Sequence, residues 1–309
     1  MIRYTLGRVL AGLLVVWVVA TLTFLLLRFL PGGPFDKERS LPPEIMRNLA
    51  HRYALDRPLG AQYLDYLARL ARGDLGPSYK YVGRDVADIL RDAVPVSLEL
   101  GALAFALAVS GGIALGLAAG ARRGRIVDRL VTLGSLVGVS APSFVIGAGL
   151  ILVFGLFLRW LPAGLWEGPL YAVLPALTLA ALPTAYAAQL TRAQVGAVMD
   201  QDYVRTARAL GVPEARVRRR HVLRNALLAV MTYSGPLLAN LLTGSFVVEH
   251  IYAVPGMGRY FVSAVANRDY PLVLGVTLVY AALVVLANLA VDLSYAWLDP
   301  RIRVGSPSE

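Results

Sequence analysis

The sequence contains no cysteine, which excludes disulfide scaffolds, thiolate zinc sites and thiol nucleophiles together. It has three histidines, His51, His221 and His250, too scattered to set out a metal site. It has two lysines, Lys37 and Lys80, and neither follows the Gly-x-x-x-x-Gly turn whose amides and ammonium cradle a nucleotide phosphate. Charge is scarce, at 16% of residues against about 25% in soluble domains. What takes its place is apolar: 57% of the 309 residues are hydrophobic, too many for a disordered chain. The net charge of +10 can point to nucleic acid, but in so apolar a chain it is weighed first against membrane topology.

Six runs carry no charge and are long enough to cross a bilayer as helices: Val9–Leu27, Leu100–Ala121, Leu130–Leu158, Gly168–Thr191, Ala226–Val248 and Tyr270–Val291. About 20 helical residues cross the hydrocarbon core, and in lipid every backbone group needs an internal partner, which favours helices. An outer-membrane barrel would show segments of about ten alternating residues, and none is seen. The first run is longer than a signal-peptide core and no small-x-small site follows it before Arg28, so it reads as an uncleaved span. The expectation is an all-α polytopic membrane protein of six transmembrane helices.

Arginine gives the orientation. Sixteen basic residues fall on the side of the N-terminus: Arg3 and Arg8, the 122–129 group, eight between Arg192 and Arg224, and Arg301 and Arg303. The short loops on the other side hold three, Arg159, Arg259 and Arg268. Segments beyond about 60 residues translocate regardless of charge, so the 11 basic and 9 acidic residues of 28–95 do not enter. Both termini are expected in the cytoplasm of a bacterial plasma membrane.

The chain divides into an N-terminal span (1–30), an extracytoplasmic helical segment (31–95) and a core of five spans (96–303). In the segment, Ser40 is a plausible N-cap before Pro42, Pro43 and Glu44, and Tyr63, Leu67 and Leu70 form a helical stripe before the turn Gly73-Asp74-Leu75-Gly76. Pro142 interrupts the overlong third run, and Pro175 and Pro183 lie in the fourth, where kinks suit a pathway that opens and closes. The Gly155–Tyr171 connection carries Trp160 and Trp166, an interfacial belt. Residues 249–269 are apolar for a loop, so they dip into the membrane or pack over the spans.

The hairpin at 200–224 is the most informative stretch. Asp200 or Asp202 is placed to cap a helix through Tyr203, Val204, Ala207 and Leu210, and Gly211 offers a left-handed end. Pro213 and Glu214 open a second helix bearing Arg216, Arg218, Arg219, Arg220 and Arg224. Charge alone leaves three readings open: positive-inside charge with anionic lipid contact, nucleic-acid binding, and a docking surface for a cytoplasmic protein.

The pattern itself separates them. Asp202-Tyr203-Val204-Arg205-Thr206-Ala207-Arg208-Ala209-Leu210-Gly211 resembles the EAA loop of binding-protein-dependent ABC transporter permeases. The resemblance extends to Arg220-His221-Val222-Leu223-Arg224-Asn225-Ala226, Pro255-Gly256-Met257-Gly258, Asn267-Arg268-Asp269-Tyr270-Pro271 and the tail Leu298-Asp299-Pro300-Arg301. Pro31-Gly32-Gly33-Pro34, Leu41-Pro42-Pro43-Glu44 and Gly73-Asp74-Leu75-Gly76-Pro77 look like the B-type membrane subunit of the oligopeptide branch. The generic loop begins with Glu and closes near Pro; here Arg205 and Arg224 stand there, and Arg at the first is common in the peptide branch. The resemblance implies the type I ABC importer permease fold. It also implies peptide import, with ATP and Mg bound by partner subunits and no cofactor held by this chain. The partners it implies are a second homologous permease, two ATPase subunits and an extracytoplasmic peptide-binding protein, with membrane lipid around the chain and no nucleic acid. It makes Tyr203, Arg205, Thr206, Ala207, Arg208, Ala209, Gly211 and His221 the ATPase-coupling residues.

Two other functions fit the residues less well. An ion-coupled secondary transporter places ionisable groups at the bilayer midplane, and the uncharged runs hold none; Glu99 and Asp292 stand at span ends. An intramembrane protease would need Ser140 within hydrogen-bond reach of a histidine, yet His221 and His250 fall at the two faces. Among polar residues inside spans, Asn240 and Thr243 are the weak candidates for lining a translocation path.

Overall fold

The computed structural model describes residues 2–30, 33–34, 44, 47–48, 51, 53–217, 223–242 and 246–298. Named in chain order, the helices are α1 (Ile2–Phe29), α2 (Leu59–Ala71), α3 (Val86–Gly120), α4 (Ile126–Ser140), α5 (Ser143–Leu150, continued by a π-helical stretch Ile151–Phe157) and α6 (Pro169–Met199). There follow α7 (Asp202–Ala209), α8 (Glu214–Val217), α9 (Leu223–Leu242), α10 (Phe246–Ile251), α11 (Met257–Asn267) and α12 (Tyr270–Leu298). No β-strand is present among the described residues; Pro77 and Asp85 form one isolated antiparallel bridge. The expected cap at Ser40 lies outside the described residues.

Among the described residues four helices are long and apolar enough to cross a membrane, α1, α3, α6 and α12, and a fifth crossing arises if α4 and α5 count as one broken span. α3 begins at Val86, ahead of its uncharged run, and carries Pro95 inside it. α6 starts with Pro169 in its first turn and runs unbroken through Pro175 and Pro183. The third run is different. Ala141 is extended (φ −85°, ψ 128°), as the residue before a proline is driven to be, and α4 and α5 meet at a bend of 113°. Helix persists to Phe157, so Gly155 belongs to the span and the irregular connection starts after it.

The contacts along α6 show how the broken pair lies. Asp128 of α4 meets Arg192, Gly138 approaches Ala185 and Ala181, Gly147 of α5 approaches Thr178, and Ile151 and Phe154 pack with Leu174. Contacts with α6 thus step from Arg192 to Thr178 as the chain passes from α4 to α5. α9 also lies lengthwise, with Tyr233 near Tyr186 and Leu237 and Leu241 packed among Ala104, Ala108 and Ala180.

The tightest seam joins α3 to α6. Gly112, Gly116 and Gly120 recur every fourth residue on one face, and a Cβ at each would collide with Ala187, with Thr191 and Ala188, and with Val195. Without a hydrophobic drive between helices in lipid, close backbone approach at small residues supplies the dispersion contact. Ala104, Ala108, Ala119 and Ala187 are fully buried along the same interface.

At the other end of the bundle α10 and α11 fold over the helix ends. Tyr252 is fully buried, its hydroxyl 2.8 Å from that of Thr178 and donating to Gly147 O at 3.1 Å. Residues 249–269 thus pack against α3, α5 and α6.

Candidate coupling surface

The hairpin hangs from α6 on apolar residues. Val204 and Val217 are fully buried and cluster with Val195 and Val198 of α6, with Leu117 of α3 and with Ala207 and Val212 beside them. α7 ends in a Schellman arrangement: Val212 N donates to Ala207 O at 3.1 Å and Gly211 N to Arg208 O at 2.9 Å, with Gly211 at φ +76°. That left-handed position is the one a glycine takes at least cost. The N-terminal cap differs from expectation. Gln201 holds it with extended backbone and no side-chain bond, because α6 runs on through Met199 and takes Asp200 as its own C-cap. Asp202 falls in the first turn instead, 3.7 Å from Arg205. Pro213 O receives the amides of Arg216 and Val217, so Pro213 precedes α8 and Glu214 opens it.

Seven of the eight residues that the resemblance assigns to coupling are described. Tyr203, Arg205, Thr206, Arg208, Ala209 and Gly211 are exposed, and Ala207 is half-buried against the valine cluster. His221 lies outside the described residues. Tyr203, Thr206 and Leu210 recur at helical spacing on the side opposite Val204, and Leu210 is 78% exposed. Leu210 reads as part of the apolar pattern in sequence; its outward direction follows from where Val204 points. Arg208 donates to the sulfur of Met199 at 3.4 Å, and the exposed Arg205–Asp202 pair contributes little to stability. The face thus offers an aromatic ring, a leucine and arginines on a rigid, apolar-glued base, as a protein-docking surface requires.

An ion pair fixes the same end of the bundle. Arg192 Nη2 donates to Asp128 Oδ2 at 3.1 Å and Arg192 Nε to Oδ1, while Gly124 N donates to Asp128 Oδ2 at 2.9 Å. Asp128 is only 6% exposed and Arg192 29%, so the start of α4 is pinned to α6 one helical stretch from the hairpin.

Of the two pathway candidates, Asn240 is exposed on α9 and Thr243 lies outside the described residues. The sequence reading also missed a buried acid. Glu249 is fully buried: Ser97 Oγ donates to its Oε1 at 3.0 Å and Gly258 N to its Oε2 at 2.7 Å. Met257 N in turn donates to Ser97 Oγ at 2.9 Å. A side chain on Gly256 would strike both Glu249 and Ser97. The signal available was a carboxylate directly after an uncharged run and before two closely spaced glycines.

Long apolar helices, one of them broken at a proline, make this a multi-pass helical membrane protein with an exposed amphipathic hairpin between two of its long segments. Residues 112–304 match the family described as binding-protein-dependent transport system inner membrane component, and residues 1–100 match the N-terminal region of such membrane components; the chain belongs to this family. It is 42% identical over 304 residues to the dipeptide transport system permease protein DppB of Bacillus subtilis, covering 98% of this chain and 99% of that one. It is 41% identical over 305 residues to the oligopeptide transport system permease proteins OppB of Haemophilus influenzae and Escherichia coli K12, covering 98% of this chain and all of theirs. Two solved structures share the fold. A chain of an amino acid ABC transporter superposes with TM-score 0.53 at 18% identity, covering 68% of this chain and 94% of that one. A chain of the MetNI methionine ABC transporter superposes with TM-score 0.51, again at 18% identity, covering 68% and 96%.

Proposed function

We propose that this chain is the membrane permease subunit of an ATP-driven importer of peptides, oligopeptides foremost, and forms half of the translocation pathway. Its carrying observation is the hairpin: a docking face of Tyr203, Thr206 and Leu210 rigidly continuous with α6 through Val204. The full-length kinship with dipeptide and oligopeptide permeases supports peptides as the solute. ATP and Mg belong to two partner ATPase subunits, one of which takes the α7–α8 hairpin and His221 in a groove and moves it as a rigid body. A second homologous permease completes the pathway, and an extracytoplasmic peptide-binding protein delivers the solute. Both termini lie in the cytoplasm, the 31–95 segment on the far side, and Asn240 and Thr243 face the path. A channel that passes many sequences needs few specific side chains, which leaves selection to the binding protein.

Gly211→Val tests the coupling. A branched residue at φ +76° costs roughly 1–2 kcal/mol and re-aims the α7–α8 turn. In proteoliposomes of the whole complex, peptide uptake should fall at least about tenfold while ATP hydrolysis and insertion persist. Uptake at the normal rate overturns the hairpin's role. Uptake by this chain alone, driven by an ion gradient, overturns the ATP-driven reading.

A further inference from the structure

The backbone is open where α4 and α5 meet. The α4 ladder ends with Ala141 N donating to Val137 O at 2.9 Å, and the next carbonyl in use is that of Pro142, which accepts the amides of Val145 and Ile146 at 2.9 and 3.2 Å. The four carbonyls between them, Gly138 to Ala141, receive no hydrogen bond among the described residues. Pro142 is the cause at the first. It stands four residues after Gly138, where an amide would close the turn, and has none to give. The 113° bend then carries the amides of Ser143 and Phe144 out of the α4 ladder, and no side chain caps the start of α5.

The break lies deep. Gly138 approaches Ala181 and Ala185 of α6, and Gly147 approaches Thr178, so the opening stands beside the middle of α6. At 1.5 Å per residue, Ala185 is about 10 Å along the axis from Arg192, and Thr178 about 14 Å from Pro169 at the start of α6. It is also uncovered. Val139 is 41% exposed, and Ser140 and Pro142 are exposed beside it. Leu182 and Tyr186, one position beyond the two alanines, are 44% and 50% exposed, so α6 is bare next to the break. Hydrocarbon offers these carbonyls no donor, and open backbone at membrane depth persists only inside protein or against water. The break therefore does not face lipid; it faces a supply of donors. A peptide carries N–H groups along its whole main chain, and bonds to them give affinity without reading side chains. Its N-terminal ammonium is drawn as well to the negative C-terminal end of α4.

We propose that the break between α4 and α5 lines a water-filled translocation path, and that the carbonyls of Gly138, Val139 and Ser140 accept main-chain amides of a peptide in passage. The inference rests on the reading of the chain as half of a peptide importer, and gives that path a sequence-blind contact.

Thiol accessibility tests it in proteoliposomes of the whole complex, since this chain has no cysteine of its own. Leu14, 58% exposed on the apolar α1, supplies the comparison. Ser140→Cys should be modified by a charged methanethiosulfonate at least about tenfold faster than Leu14→Cys, because the reactive thiolate forms where water reaches. A transported oligopeptide should slow that modification severalfold. Pro142→Ala returns an amide to Gly138 O. Its peptide uptake should fall about fivefold, the worth of one hydrogen bond, while ATP hydrolysis and melting temperature hold. Full uptake in Pro142→Ala overturns the role of the carbonyls. The Cys variants leave the break intact and decide the matter where Pro142→Ala fails to assemble. Ser140→Cys as inert as Leu14→Cys, in a complex that still imports peptide, overturns this inference alone and gives the break to a dry contact with the second permease. Modification slowed by another solute and by no peptide overturns the peptide contact together with the peptide-importer reading, and leaves the path.

Discussion

Val204 in α7 and Leu210 at its C-cap, six residues apart, have opposite surroundings, and their substitutions should separate folding from coupling. Val204→Asp buries an unpaired carboxylate at a cost of about 3 kcal/mol and should release the hairpin, read as new protease cleavage near residue 210 and lower yield. Leu210→Ser removes only exposed surface; yield and melting temperature should hold while ATPase subunits co-purify less. Equal behaviour of the two variants would deny the division of faces. At this scale the sequence was legible where chemistry is local. Gly211 announces its left-handed turn because few other residues tolerate that φ. The cap was not legible, because whether Asp200, Gln201 or Asp202 holds it depends on where α6 stops. Glu249 was hidden for a stronger reason: its burial depends on Ser97, far back in the chain on α3, and on the amide of Gly258.

Among elements, the α3–α6 seam is the most exacting contact. Gly116→Val places its side chain against Thr191 and the Ala188 backbone, and overpacking of this kind costs about 1–3 kcal/mol. The variant should melt several degrees lower in detergent, whereas Gly134→Val, with nothing near its Cβ position, should not. If both melt alike, the seam is not what holds these helices together. Uncharged length located the long helices well, since lipid forbids charge along them. It did not reveal that α3 starts at Val86, because charged residues are tolerated once a helix leaves the hydrocarbon. Pro142 was visible as an interruption, yet the 113° bend was not, since a proline gives the place of a break while packing against Thr178 and Leu174 sets its angle.

For the whole molecule, the lack of cysteine turns topology into a direct measurement. A single Cys replacing Arg159 should react with a membrane-impermeant maleimide in intact cells, and one replacing Arg123 only after permeabilisation. The reverse pattern would invert the orientation drawn from sixteen arginines on one side and three on the other. That reading sums many weak preferences and needs no tertiary contact. The division of labour in the hairpin has a last consequence. The residues that attach it, Val204 and Val217, share no position with those it shows outward, Tyr203, Thr206 and Leu210. Under the coupling proposed above, recognition is an interchangeable label on a fixed mount: exchanging three outward side chains for another permease's should redirect which motor it engages and leave the bundle untouched.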